Sequence, residues 1–136
     1  MYKIIILAIL SLALFGCLQT EPLFDEQTTI AQDEMNAWWF DTVKGDLINI
    51  DVNVTDGGPV DVYLVDSNGY ADYNYNLGGG VQDFIVEDQG IGVSEYSQTI
   101  EIIEPGRYYL VVDNTASTQG TDPYGSVTIK IKIIKN

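Results

Sequence analysis

Asp66, Asn68 and Asp72 are the residues whose types and spacing come nearest to ion chemistry, three oxygen-bearing side chains around Gly69. A hard cation such as calcium takes several oxygen ligands, and a loose turn can add backbone carbonyls to them. The plainer reading is favoured: Asp66-Ser67-Asn68-Gly69 is a turn signal whose carboxylates stay in water. The run "DVNVTDGG" from Asp51 imitates a calcium loop, but its alternating valines describe a strand and its glycine falls one place late for an EF-hand. Tyr70, Tyr73 and Tyr75, with Tyr63 and Tyr96 as neighbours, offer rigid aromatic area and hydroxyls suited to a protein or glycan partner. Set against this, tyrosines also simply cover sheet faces, and that reading is preferred. Asn53-Val54-Thr55 is a glycosylation sequon with Asn53 on the outward side of its strand.

Other chemistry is absent from the sequence. No histidine is available as a base near neutral pH or as a metal ligand. Paired carboxylates can cleave glycosides when one is buried enough to hold its proton, but the sequence marks no such pair and puts no acidic residue in an obvious apolar setting. An enzyme is not expected. With 20 acidic and 6 basic residues the formal charge is −14, which opposes binding to nucleic acid or to anionic lipid.

Cys17 is the single cysteine, so no internal disulfide can hold the fold. It follows Lys3, an apolar run from Ile4 to Leu14, and Gly16, the order of a secretion signal. As a helix, residues 4–18 would span about 22 Å against roughly 30 Å of hydrocarbon, so an uncleaved membrane span is the weaker reading. Leu14-Phe15-Gly16-Cys17 resembles the lipobox of prokaryotic lipoproteins, with Phe15 larger than that position usually allows. The resemblance implies that residues 1–16 are removed and that Cys17 carries acyl chains and becomes the N-terminus. An uncleaved anchor and a plain secreted form are the alternatives. Two or three acyl chains, at about 0.8 kcal/mol per buried methylene, hold a protein firmly on lipid.

The remaining residues must supply the domain. Residues 17–35 show no sustained period and read as the lipidated cysteine and a flexible tether, with a first strand starting as early as Thr28. Fully extended, that tether reaches about 60 Å. From residue 36 to residue 136, short alternating runs are separated by turn residues, which predicts an all-β antiparallel sandwich of jelly-roll type behind an N-terminal signal helix. Ile48, Ile50, Val52 and Val54 share one face, as do Val60, Val62 and Leu64, and the two runs read as an antiparallel pair joined at "TDGGP". Asp61, Tyr63 and Val65 are expected to face outward. Residues 70–98 form a long Gly-rich passage with strands expected at 84–86 and 94–102. Pro105-Gly106 turns into "RYYLVVDN", and the last run directs Val127, Ile129, Ile131 and Ile133 inward and Thr128, Lys130 and Lys132 outward. Trp38 and Trp39 fall in the core or at its rim.

The ordered set "WWFDTVKGDLINIDV", "VDVYLVD", "PGRYYLVVDN" and "VTIKIKI" resembles the prepeptidase C-terminal domain and the GOLD domain, both extracellular β-sandwiches. Gly45-Asp46, Val62 to Leu64 and Pro105 to Asn114 are the matching positions. The resemblance implies an accessory domain for attachment, folding or partner binding. The expectation is therefore an exported lipoprotein, held by Cys17 on membrane lipid at the outer face of the cell, whose sandwich is a non-catalytic binding module. A calcium-dependent adhesion or glycan-binding domain, or a subunit of a cell-surface complex, is the alternative.

Overall fold

The computed structural model describes residues 20–76, 87–116 and 122–136. The expected signal helix at 1–16, Cys17, the expected strand at 84–86 and the side chain of Tyr75 lie outside the described residues. Eight strands and one helix follow in the order β1 (Phe24–Ile30), β2 (Met35–Thr42), β3 (Leu47–Asp56), β4 (Val60–Asp66), α1 (Ser67–Asn76), β5 (Asp88–Val93), β6 (Glu95–Glu101), β7 (Gly106–Asp113) and β8 (Val127–Lys135). They form two four-stranded antiparallel sheets, β1-β8-β3-β6 (sheet 1) and β2-β7-β4-β5 (sheet 2). First pairs with last, second with seventh, third with sixth and fourth with fifth. One long hairpin rolled over itself gives that order, which makes the sandwich a jelly roll.

Period-two patterning builds the interior. Ile48, Ile50 and Val52 of β3 and Ile129, Ile131 and Ile133 of β8 face Trp38 and Phe40 of β2, Val62 and Leu64 of β4, and Leu110 and Val112 of β7. Each such side chain contributes about 1.5–3 kcal/mol when fully buried. A core of this size holds the sheets together without a disulfide. Among the described residues no helix is long and apolar enough to cross a membrane.

Four expectations need correction. The segment read as tether up to residue 35 contains β1, whose backbone pairs with β8 from Phe24↔Ile133 to Ile30↔Val127. Its polar composition hid it: as an edge strand it buries only Ile30 fully, while the carboxylate of Glu26 accepts the Trp38 indole N–H. Second, β3 and β4 are not partners. Gly57, at φ 99°, carries the chain from sheet 1 to sheet 2 past the backbone of Ser126 and Val127, where a Cβ would lie 2.6 Å from the Ser126 carbonyl oxygen. Third, the residues after Asp66 form a helix where a turn was expected. Asp66 Oδ1 accepts the Gly69 N–H at 2.8 Å and caps the first turn. Fourth, Asp61, Tyr63 and Val65 are 1%, 1% and 0% exposed, because α1 and neighbouring strands cover the outer side of β4.

Asn114, just past β7, ties the end of the sandwich that holds the β1–β2 turn and the β7–β8 connection. Its Nδ2 donates to the carbonyls of Ala31 (3.0 Å) and Gly125 (2.9 Å), and its backbone exchanges bonds with Asp33 and Glu34. Asp33 takes φ 65° there, a left-handed conformation that Asp tolerates better than most side chains.

Candidate binding face

The two outer faces of the sandwich differ in chemistry. On sheet 1, polar side chains bond one another across the strands: Ser97 Oγ donates to Asp51 (2.6 Å), Thr99 to Asn49 (2.7 Å), and Lys132 pairs with Asp25 (3.9 Å). Such a ladder satisfies itself in water, and the large apolar side chain exposed on this face, Leu47, stands at the very start of β3. Asn53 stands exposed on this face, opposite Lys130 and Glu95, as its place in the sequence predicted.

Sheet 2 carries apolar and aromatic groups on its outer face, and α1 lies over part of them. Tyr63, Val65, Val111 and Tyr73 form a second small core, with Met35, Ala37, Tyr70 and Tyr109 packed at its margin. Tyr73 Oη donates to Asp113 Oδ2 at 2.6 Å, while Asp113 Oδ1 accepts the Thr115 N–H at 2.6 Å. Asp61, the cross-strand neighbour of Asp113, accepts the Gly92 N–H at 2.8 Å. Burial, and then the charge and hydrogen bond of Asp113, push the Tyr73 hydroxyl far above the usual phenol range. Tyr96, buried on β6 and donating to Asp88 at 2.6 Å, is raised for the same two reasons.

Beyond the helix, a strip of this face remains open. Trp39 is 51% exposed, and the Arg107 guanidinium lies 4.0 Å over its ring. Arg107 Nε and Nη2 bond the two carboxylate oxygens of Asp41 at 2.9 and 3.1 Å, fixing the fork in place. That hydrogen bond holds the Asp41 carboxyl below its ordinary pKa. Next along the strip Tyr109, the register partner of Trp39, stacks on Tyr70 at 3.9 Å with ring planes 5° apart. The result is a row of flat groups of fixed orientation, indole, guanidinium and stacked phenols, at a surface otherwise dominated by carboxylates. Rigid aromatic and arginine groups of this kind characterise recognition surfaces.

The candidates from the sequence fall in several places. Tyr70 joins the strip, but Tyr73 is 2% exposed and is a core residue of the helix contact, so the three tyrosines do not form one exposed patch. Tyr63 and Tyr96 are likewise buried. Asn68 and Asp72 stand exposed on α1, whereas Asp66 is spent on the helix cap. Among the described residues no group of three or more Cys, His, Asp or Glu side chains is placed to hold a metal ion. Trp39, Arg107 and Asp41 were not singled out as a site. Alternation in "WWF" does distinguish an inward Trp38 and Phe40 from an outward Trp39, and Arg107 is the sole arginine of the chain. At the end tied by Asn114, an open hollow of about 460 Å³ is lined by Asp33, Glu34, Met35, Thr115 and Ala116. Its two carboxylates, Asp33 and Glu34, both stand exposed.

Comparison with solved structures gives similarity of fold. The crystal structure of Aeromonas hydrophila PliG, a periplasmic lysozyme inhibitor of g-type lysozyme, matches with 9% identity over 83% of this chain and 85% of that one, at a TM-score of 0.50. The pre-peptidase C-terminal domain of collagenase from Bacillus anthracis matches with 16% identity over 80% of this chain and 88% of that one, at a TM-score of 0.49. No family model matches the chain, and comparison with curated proteins gives no match.

Proposed function

We propose that this protein is a non-catalytic binding module of the cell exterior, held on membrane lipid through acylated Cys17, and that it recognises a protein partner with the Trp39–Arg107–Asp41 strip of sheet 2. The observation that carries the reading is the contrast between the outer faces. Sheet 1 presents a self-satisfied polar ladder, while sheet 2 exposes half of an indole under a guanidinium that is itself clamped by a carboxylate. An indole held this way loses little freedom on binding, so the area it buries is retained as affinity. Export is supported by the order of residues before Cys17 and by a fold that uses no thiol elsewhere. The Aeromonas hydrophila protein of similar fold is a periplasmic inhibitor of an enzyme, which supports partner binding by such a sandwich outside the cytoplasm.

Photo-crosslinking in intact cells tests the reading. A crosslinking amino acid at Ser67, exposed and within 3.3 Å of the Arg107 carbonyl, is expected to capture a discrete partner, lost when Trp39→Ala or Arg107→Ala is added. The same group at Lys130, on the outer face of sheet 1, is expected to capture none. Equal capture from both faces, or capture at Ser67 indifferent to Trp39 and Arg107, refutes the assignment.

A further inference from the structure

Four of the seven large apolar side chains exposed among the described residues gather at one end of the sandwich: Leu23 (40%), Val43 (63%), Leu47 (42%) and Ile103 (62%). The β2–β3 turn and the β6–β7 turn that carry Val43 and Ile103 are tied by two backbone bonds, Gly45 N–H to the Ile102 carbonyl and Ile102 N–H to the Asp46 carbonyl. Leu47 closes the same end by exchanging backbone bonds with Asn136. Leu23 precedes β1, and its N–H bonds the Ile133 carbonyl near the finish of β8, so the chain leaves the sandwich toward this end as it runs back to Cys17.

Chain length then decides orientation. From Cys17 to Leu23 the chain reaches about 20 Å even when fully extended. The ten residues of β3 alone span about 33 Å. A segment that short cannot bring the opposite end, with Tyr124, down to a surface that holds Cys17.

We infer that the end bearing Leu23, Val43, Leu47 and Ile103 rests on the lipid surface, its aliphatic side chains entering the membrane interface. The inference builds on lipidation of Cys17 and adds how the domain stands. Attraction of opposite charges has no part in it, since a chain of net charge −14 gains nothing from anionic headgroups. Apolar contact and the acyl chains carry the binding, so the contact is insensitive to salt.

The test uses the full-length lipidated protein in phosphatidylcholine vesicles. Lipidation consumes the Cys17 thiol, so a fluorophore sensitive to polarity labels only an introduced cysteine. At Ile103→Cys and Val43→Cys, both on exposed turns, emission is expected to shift to the blue and to be quenched by nitroxide-bearing lipids, in low and high salt alike. At Tyr124→Cys, 86% exposed at the opposite end, neither effect is expected. Flotation of the wild type but not of Cys17→Ser is scored separately: loss of flotation in the wild type removes the anchor and the orientation with it. Flotation with labels at positions 43 and 103 as wet and unquenched as at 124 removes the orientation alone. A blue shift that lipid nitroxides do not quench puts another protein surface there and equally overturns the lipid contact.

Discussion

Replacing Tyr73 by Phe removes one hydroxyl and tests whether α1 is a docked part of the sandwich. In the structure that hydroxyl donates at 2.6 Å to Asp113, which is 2% exposed and whose other oxygen is already held by the Thr115 N–H. A hydrogen bond to a charged group contributes about 1.5–3 kcal/mol net, and removing the donor leaves a buried carboxylate oxygen under-solvated. At about 4 °C per kcal/mol for a domain of this size, Tyr73→Phe lowers Tm by roughly 6–12 °C. In urea titration the midpoint falls while the m-value stays constant, because the surface exposed on unfolding barely changes. Two controls isolate the bond. Tyr124→Phe, at a position 86% exposed, leaves the midpoint in place. In an Asp113→Ala background, Tyr73→Phe costs much less than it does alone, since the partner is already gone. A Tyr73→Phe protein as stable as the wild type refutes the docking of α1 and returns Tyr73 to the surface.

Stability at high pH reports the buried phenols as a group. Tyr73 and Tyr96 have folded-state pKa values raised above the ordinary value near 10, so their contribution is fully present below pH 10 and falls away above it, as the unfolded chain loses protons that the native state keeps. Each is expected to steepen the loss of stability above pH 10 by about 1.4 kcal/mol per pH unit, and Tyr73→Phe to flatten the profile between pH 10 and 11; a profile unchanged by that substitution contradicts the burial. Gly57→Ala and Gly125→Ala separate steric from conformational cost, since both positions have positive φ but only at Gly57 would the Cβ strike backbone. The first is expected to lower stability by clearly more than the ~1–2 kcal/mol of the left-handed conformation, and the second by no more than that, in thermal unfolding; equal losses refute the close approach at Ser126 and Val127.

The sandwich was legible because an interior between two sheets imposes period two on strands that face it on one side. β3 and β8 each put every second residue inside, and their sequences say so without help. Two kinds of information escaped. The first is long-range pairing: β3 reads as the neighbour of β4 by proximity, yet its partners β6 and β8 are determined by how the rolled hairpin closes, which no local pattern encodes. The second is an element whose burial comes from one side or from outside the sheets. β1 lies at an edge and fills its inward positions with Phe24, Glu26, Thr28 and Ile30, so its apolar signal is weak. Residues 61, 63 and 65 of β4 look outward by alternation and are inside because α1 and the neighbouring strands cover them, the helix packing there through Tyr70 and Tyr73 among the described side chains. The open strip was hidden for a related reason. Trp39 and Arg107 sit in strands that read as core, and only the register Asp41↔Arg107 brings charge and indole together.

Orientation links the anchored end to the binding strip. If the end bearing Val43 and Ile103 lies on lipid, the strands run away from the membrane and the outer face of sheet 2 looks sideways. Trp39 stands three residues along β2 from Thr42, which pairs with Gly106 at that same end. At about 3.4 Å per residue the indole is then only about 10 Å above the plane of Thr42. A partner that grips Trp39 and Arg107 must therefore approach laterally and close to the bilayer, as the exposed part of a second membrane-held protein does. A large soluble partner arriving from above meets the opposite end, with Tyr124 and Asp33, and would collide with lipid before it reached the strip. Lengthening the chain between Cys17 and Leu23 with a flexible insert distinguishes the two geometries. It is expected to weaken capture of a membrane-held partner by the probe at Ser67, because the effective concentration set by the short tether falls. Capture that rises with tether length would mean that the strip serves a partner reaching it from above.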